Sequence, residues 1–457
     1  MPNQRSVVGA TAWTCDLPSI RKEEQRLLGE GIVKNIIDEM LERMRELETT
    51  KSPNLVHGFS LLKIAAIGER AKHGVPVREM YGSTRKLPTF EELMFVPAMI
   101  DVLPVNPNQV NTEVVIGKNT KKPLKISTPI MLSAMAYGLS VNRATKICWG
   151  KASAAADTAC NSGDTGFFPE ERKYARYYIV QLNRARYGNS EEEIKQSDAV
   201  EIRFGQGAMG ALAGAIDDAD VDRDLAKQLG VRPGKSSSRP YLHPEIDQSK
   251  TLKDIVTNVR NINPDVPVGV KVAAGNIEKD LDAVIDAGCD FVTIDGGGGG
   301  TANSPEVTIN NLGVPLIYAV GRAHRHFVSR GVRENIDLIV TGGLRDAGDC
   351  LKAIALGANA VYLGESALIA MSYSQWDKVP PGTAPSELFL SFGNHGDLLD
   401  IEEGTKALAN FIKASTSEMA MLTGLVGKND VKKVGIDDLV ALNEQTSRAT
   451  GARLAWK

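Results

Sequence analysis

An eight-stranded (β/α)8 TIM barrel, preceded by a helical extension and followed by a helical tail, is the fold this sequence predicts. Three observations carry the prediction. The first is a repeated grammar: a short β-branched run, then glycine or a polar residue, then an amphipathic helix. DFVTIDGGGGG (290–300), DLIVTGGLRDAGD (337–349) and AVYLGESALIA (360–370) all obey it. The second is the count of such runs, which is eight across the middle of the chain. The third is a missing signal. No GxGxxG follows an early strand with an acidic residue about 20 positions on, so an open dinucleotide-binding sheet is disfavoured.

The strands are expected at 129–135 (PIMLSAM), 157–163, 177–183, 199–207, 266–273 (VPVGVKVA), 291–297, 337–343 and 360–366. Helical patterns fill most of the gaps, such as NRATKICWGKASAAA after the first strand and CLKAIALG before the last. The long gap at 207–266 is rich in turn residues and reads as an insertion over the barrel mouth. Upstream, residues 19–75 have spaced apolar positions with mixed charge, the pattern of helices. The domain reading is a helical region over 1–85, the barrel domain over 86–430 and a tail over 431–457.

Composition narrows the function classes. The chain has 457 residues, 42% of them apolar and 24% charged, with a formal charge of -3. No basic face for nucleic acid is indicated. No apolar run approaches transmembrane length, and the first 25 residues lack the apolar core of a signal peptide. The expectation is a cytoplasmic protein that binds neither membrane nor nucleic acid. Five scattered cysteines contain no CxxC pair, so buried reduced thiols are expected and no metal site. The histidines offer no metal-binding pair. His324 and His326 are two apart on a helix and do not share a face, and only His243, in the insertion, reads as a candidate acid.

Function in such a barrel gathers at the C-terminal ends of the strands. That rule converts the strand list into candidate residues. Strand one offers Ser133, Ala134 and Met135, and strand two Asn161 and Asp164. Strand four offers Arg203 and Gln206, and strand five Lys271. Strand six offers Asp295, Gly296, Gly297, Gly298, Gly299, Gly300 and Thr301. Strands seven and eight offer Gly342, Gly343, Gly364 and Glu365. Glycine loops after strands seven and eight suit a phosphate bound by backbone N–H groups and a helix start.

SAMAYGLS, CNSGDTG, VEIRFGQGA, IDGGGGGTANSP and VTGGLRDAGDCLKAIALGANAVYLGES occur in this order. Together they resemble the FMN-binding synthase domain of the glutamate synthase family, over roughly residues 85–430. The resemblance implies FMN as cofactor and reductive amination or oxidation of a 2-oxo acid or amino acid. It also implies a separate electron-donor or amidotransferase subunit and an oligomeric assembly. Gln206 matches the family glutamine beside the flavin, and Lys271 the lysine facing the flavin N1/O2 edge. Asn161 and Asp164 align with the asparagine and glutamate of an N-T-G-E-G motif. Lys271, Asp164 and Gln206 are thus the implied catalytic residues.

Two departures stand out. Met209 occupies the place of the family's substrate-facing lysine, leaving Arg203, Arg232 or Arg239 to supply a cation. The cysteine segment for an iron–sulfur cluster is absent from ALIAMSYSQWDKVPPGTAP. Other readings stay open: the large subunit of an N-methylglutamate synthase-like complex, another FMN barrel such as a 2-hydroxyacid oxidase, or a flavin electron-transfer subunit.

Overall fold

The computed structural model describes residues 61–79, 82–216, 221, 223–301 and 304–457. The helix pattern expected over 19–60 lies outside these residues. Its continuation is present as the helix Leu61–His73, which ends at Gly74 with a left-handed φ of 68°.

Eight parallel strands close into a barrel. They are β1 (Ile130–Leu132), β2 (Ala159–Asn161), β3 (Tyr177–Leu182), β4 (Ala199–Arg203), β5 (Val268–Ala273), β6 (Phe291–Asp295), β7 (Asp337–Thr341) and β8 (Ala360–Leu363). Each lies within the run that the β-branched pattern marks. A helix follows every strand: α1 (Arg143–Ala155), α2 (Pro169–Tyr174), α3 (Glu191–Lys195), α4 (Leu252–Ile262), α5 (Ile277–Ala287), α6 (Leu316–Ser329), α7 (Ala347–Ala355) and α8 (Glu365–Ser372). Their starts obey local capping chemistry. Asn142 caps α1 by accepting from Thr145 N, and Asp346 caps α7 by accepting from Asp349 N.

Three layers fill the barrel axis. At the N-terminal end, an antiparallel hairpin (Val114–Ile116 with Leu124–Ile126) packs its apolar side chains against Met131, Ile179, Phe291 and Ile339 and plugs the bottom. Above it sits a polar layer around Glu201, which is fully buried. Asn161 and Gln181 donate to Glu201 Oε1 at 2.9 and 2.8 Å, and Thr293 to Oε2 at 2.6 Å. A buried polar group left without a partner is costly, and three donors satisfying this carboxyl fix the layer. The third layer is the mouth. In register, Lys271 stands level with Arg203 on one side and Thr293 on the other.

The insertion between β4 and β5 does cover part of the mouth. It contains a hairpin (Gly214–Ile216 with Ser237–Arg239) and a helix, Arg223–Leu229. Leu225, Ala226 and Leu229 pack on Tyr137, Phe168 and Tyr187, which come from the loops after β1, β2 and β3. The long helix α9 (Ile401–Leu425) lies along α1, α7 and α8. Beyond it, the strand Leu439–Ala441 pairs with Leu93–Phe95, so the end of the chain clasps the segment entering the barrel. No described helix is long and apolar enough to cross a membrane. Cys148, Cys160, Cys289 and Cys350 are buried and free.

Candidate active site

A cleft of about 1470 Å3 opens at the C-terminal ends of the strands. Ser133, Ala134 and Met135 line it from β1, and Gln206 from the loop after β4. Lys271 lines it from β5; Asp295, Gly297, Gly298, Gly299, Gly300 and Thr301 come from β6 and its loop. Gly342 and Gly343 follow β7, and Gly364 and Glu365 follow β8. Four of the strand-end candidates lie elsewhere, Arg203 among them. Asn161 belongs to the Glu201 layer beneath the cleft, Gly296 is packed behind it, and Asp164 sits in a charged cluster to one side.

The glycine loops stack backbone on backbone. A Cβ on Gly296 would stand 2.5 Å from Leu316 Cβ, and one on Gly299 would stand 2.8 Å from Gly342 Cα. Side chains at these positions would push the β6 and β7 loops apart. Gly342 also needs a φ of 114°, which L-residues rarely adopt. The run of glycines therefore divides in two, with Gly296 serving packing and Gly297 to Gly300 forming the wall.

Lys271 is almost fully buried, and its ammonium pairs with Asp295 at 3.0 Å. Both groups come from adjacent strands at the ligand end, so the cleft carries a compensated cation rather than a lone one. Gln206 donates to Thr301 Oγ1 at 2.7 Å, tying the β4 loop to the β6 loop. Glu365, at the first turn of α8, has its carboxyl pushed up by partial burial.

Asp164 is held between two guanidinium groups. Arg203 lies 3.1 Å away, and Arg239 reaches it from the insertion hairpin. Burial pushes this carboxyl up, but Arg203 and Arg239 outweigh it and hold it below the ordinary value. The second Arg203 amine contacts Met209 Sδ at 3.7 Å. Arg184 adds a third cation close by. Its guanidinium donates to the carbonyls of Ala211, Leu212 and Tyr241, and burial followed by Arg203 draws it down to about 10. Arg232 is exposed, in a turn closed by Lys235 N donating to its carbonyl.

His243, the candidate acid, is not among the residues that line the cleft. It is buried, and its Nε2 donates to the Arg203 carbonyl at 2.9 Å, clasping the insertion to the end of β4. Burial, reinforced by Arg186, draws its pKa from 6.5 to about 4. The unfolded imidazole takes a proton near 6.5 and the folded one only near 4. Stability is therefore complete above 6.5 and declines as pH falls through that window. His243→Gln keeps a donor for the carbonyl and removes the titration. Urea midpoints between pH 4 and 7 are expected to fall less steeply in the variant than in the wild type. Equal slopes would remove His243 from the acid response.

Sequence reasoning missed several parts of this site. The segment Ser83–Glu92, where the helical region meets the barrel domain, lines the cleft with Arg85, Leu87 and Pro88. Ser83 N donates to Gly298 O at 3.3 Å, so the segment rests on the glycine wall. Its mixture of basic, proline and turn residues gave no periodicity to read. Arg184 follows an apolar strand with no motif to mark it.

The conserved region that defines glutamate synthase spans residues 70–429 of this chain. The chain belongs to the glutamate synthase family. A glutamate synthase large subunit-like protein of Rhizobium meliloti is 28% identical over 420 residues, covering 87% of this chain and 94% of that protein. The archaeal glutamate synthase (NADPH) of Methanocaldococcus jannaschii is 30% identical over 377 residues, covering 81% of this chain and 72% of its own length. The archaeal-type glutamate synthase (NADPH) of Thermotoga neapolitana is 29% identical over 313 residues. That match covers 68% of this chain and 62% of the relative, so this glutamate synthase-family chain spans under two thirds of it. Among solved structures, a mutant flavocytochrome b2 with benzoylformate aligns with a TM-score of 0.49 at 16% identity, over 79% of this chain and 78% of that one.

Proposed function

We propose that this glutamate synthase-family chain is an FMN-dependent oxidoreductase acting on a 2-oxo acid or amino acid at the barrel mouth. The observation that carries the reading is the cleft in which the β6 and β7 glycine loops meet a buried Lys271–Asp295 pair. The residues present fit a flavin mononucleotide. Gly342, Gly343 and Gly364, with the start of α8, suit one phosphate through backbone N–H groups. Gln206 and Lys271 offer donors to a polar ring edge, and Ser133, Ala134 and Met135 offer a wall on which a ring can lie. When bound, the flavin supplies two-electron transfer at its ring nitrogen.

The chain's own groups would then divide the work. Lys271 would place positive charge beside the cofactor edge where negative charge gathers. Asp295 would hold that ammonium in place and temper its field. Arg203 and Arg239 outnumber Asp164, so their corner carries net positive charge suited to a substrate carboxylate, where Met209 cannot serve. A separate electron-donor or amidotransferase subunit and an oligomeric assembly belong to this reading, as does a cytoplasmic location. A second reading is the large subunit of an N-methylglutamate synthase-like complex. The match over 94% of the Rhizobium large subunit-like protein supports only the large-subunit part of that reading.

The test is direct. Cofactor released from the purified protein should co-migrate with FMN on chromatography. Anaerobic addition of the right amino acid should bleach the bound flavin. Recovery of stoichiometric FAD, or of no flavin, would end the reading.

The ion pair makes a sharper prediction. A close charge is worth about 4 kcal/mol in a surface-like dielectric, and water and relaxation reduce this to roughly 1–3 kcal/mol. For a two-electron couple that is on the order of 20–60 mV. Lys271→Met is expected to lower the flavin midpoint potential by that amount, because it removes positive charge. Asp295→Asn is expected to raise it. Redox titration against reference dyes reads both, and shifts of the same sign would place the pair away from the flavin.

A further inference from the structure

The cleft is larger than the proposed flavin site requires. Its volume of about 1470 Å3 exceeds the roughly 300–1,000 Å3 of most small-molecule sites. The additional space is walled by α8, the turns Tyr373–Lys378 and Pro385–Leu388, and α9. Ile369, Tyr373, Trp376, Phe389, Leu390 and Phe411 line this annex, and none carries a charge. Trp376 meets Tyr373 edge-on at 5.0 Å, and its indole N–H donates to Ser372 Oγ at 3.1 Å. The indole's polar atom is thus satisfied within the protein, and the annex presents apolar ring surface.

Two features make the annex a site rather than a packing gap. It is open: Tyr373 is 67% and Ile369 42% exposed. Aromatic and aliphatic surface left facing solvent beside a cleft marks a ligand position. It is also continuous with the proposed redox centre. A bridge joins Leu390 to Val141, in the same β1 loop that presents Met135.

We propose that the annex is a second binding site of this chain, taking a neutral planar ring of the quinone class beside the flavin. These six residues give no partner to phosphates, and the cleft's cations Arg85, Lys86 and Arg345 come from other segments, so a pyridine dinucleotide would have to place its phosphates outside the annex. Burying the rings of host and guest supplies the affinity, at about 25 cal/mol per Å2 of apolar surface. The assignment of a redox-active ring rests on the flavin reading, whereas the annex itself does not.

The experiment titrates the protein as purified with 1,4-naphthoquinone and follows tryptophan fluorescence. Saturable quenching is expected, and Trp376→Phe should abolish that component, which separates it from signals of the other tryptophans. Ile369→Glu places a carboxylate in the annex at an exposed position where folding is not at stake. It should weaken binding at least tenfold. No saturable quenching, or unchanged binding by Ile369→Glu, would overturn the site. So would equal quenching of Trp376 by NADPH, since the lining would then tolerate phosphate. Because the readout needs no flavin, failure of the flavin assignment leaves this result standing on its own.

Discussion

If the proposed FMN site is right, Gly342→Ala is expected to strip the flavin from this protein, with retention falling by more than 100-fold. Gly342 adopts a φ of 114°. A non-glycine residue there costs roughly 1–3 kcal/mol in backbone strain. The added Cβ would also stand 2.7 Å from the Gly296 carbonyl oxygen and 3.0 Å from Gly296 N. Both are backbone atoms, so no rotamer change relieves the contact. The β7 loop must then move away from the β6 loop, and Gly299, whose own Cβ position lies 2.8 Å from Gly342 Cα, moves with it. The two losses together exceed about 3 kcal/mol, and each 1.4 kcal/mol is tenfold in affinity. The flavin-to-protein ratio after gel filtration reads the effect, with far-UV circular dichroism as the check on folding. Gly435→Ala is the control, because a Cβ there meets nothing within 4 Å. Full flavin occupancy in folded Gly342→Ala would separate the β7 loop from the cofactor.

The same loops explain why so much of the fold was legible. Each barrel strand is buried on both faces, so it reads as a continuous β-branched run bounded by glycine or polar residues, as in DFVTIDGG and DLIVTGG. Eight such runs give the closed barrel, and the strand-end rule then points at the cleft. What stayed hidden is tertiary in origin. Asn161 lies at the end of β2, but Glu201 claims its side chain from the middle of β4, and no local pattern tells one inward position from the next. Asp164 is marked by its place after β2, but nothing local names its partners until the insertion folds back and delivers Arg239 to it from 75 positions away. His243 sits in a polar loop by sequence, yet it is buried, with Phe204 packed on its ring and the Arg203 carbonyl accepting a hydrogen bond from its Nε2–H. The strand Leu439–Ala441 is short, and one of its two partners, Leu93–Phe95, lies more than 340 positions upstream, beyond the reach of any window.

Lys146 is the plainest case of a residue that sequence offered and that only the structure explains, and its removal carries the largest expected loss of stability. It lies in ATKICWGK, a lysine among residues that form the buried face of α1. The side chain is fully buried, and its ammonium has three partners: the Met135 carbonyl at 2.7 Å, the Ser162 carbonyl at 2.9 Å and the Glu171 carboxylate at 2.6 Å. Two of its N–H groups donate to carbonyls of the β1 and β2 mouth loops, and the contact with Glu171 is an ion pair. One cation thus fixes the cleft wall from behind. Lys146→Met keeps the length and leaves Glu171 buried without its partner, a change that costs about 3–5 kcal/mol. The orphaned carbonyls loosen the Met135 loop as well. The pH dependence follows from Glu171. Burial already pushes its carboxyl up, and Lys146 opposes that push. Without Lys146 the folded carboxyl rises further above its unfolded value. The folded variant then holds its proton at pH values where the unfolded chain has lost it, so its stability declines as pH rises through that interval. Urea denaturation should therefore show a smaller deficit at pH 5 than at pH 8. Glu171→Leu added to Lys146→Met should recover part of the loss and erase the pH dependence, because it removes the stranded carboxyl. A single variant with wild-type stability, or a deficit that grows toward acid pH, would mean that the buried pair does not hold the mouth loops together.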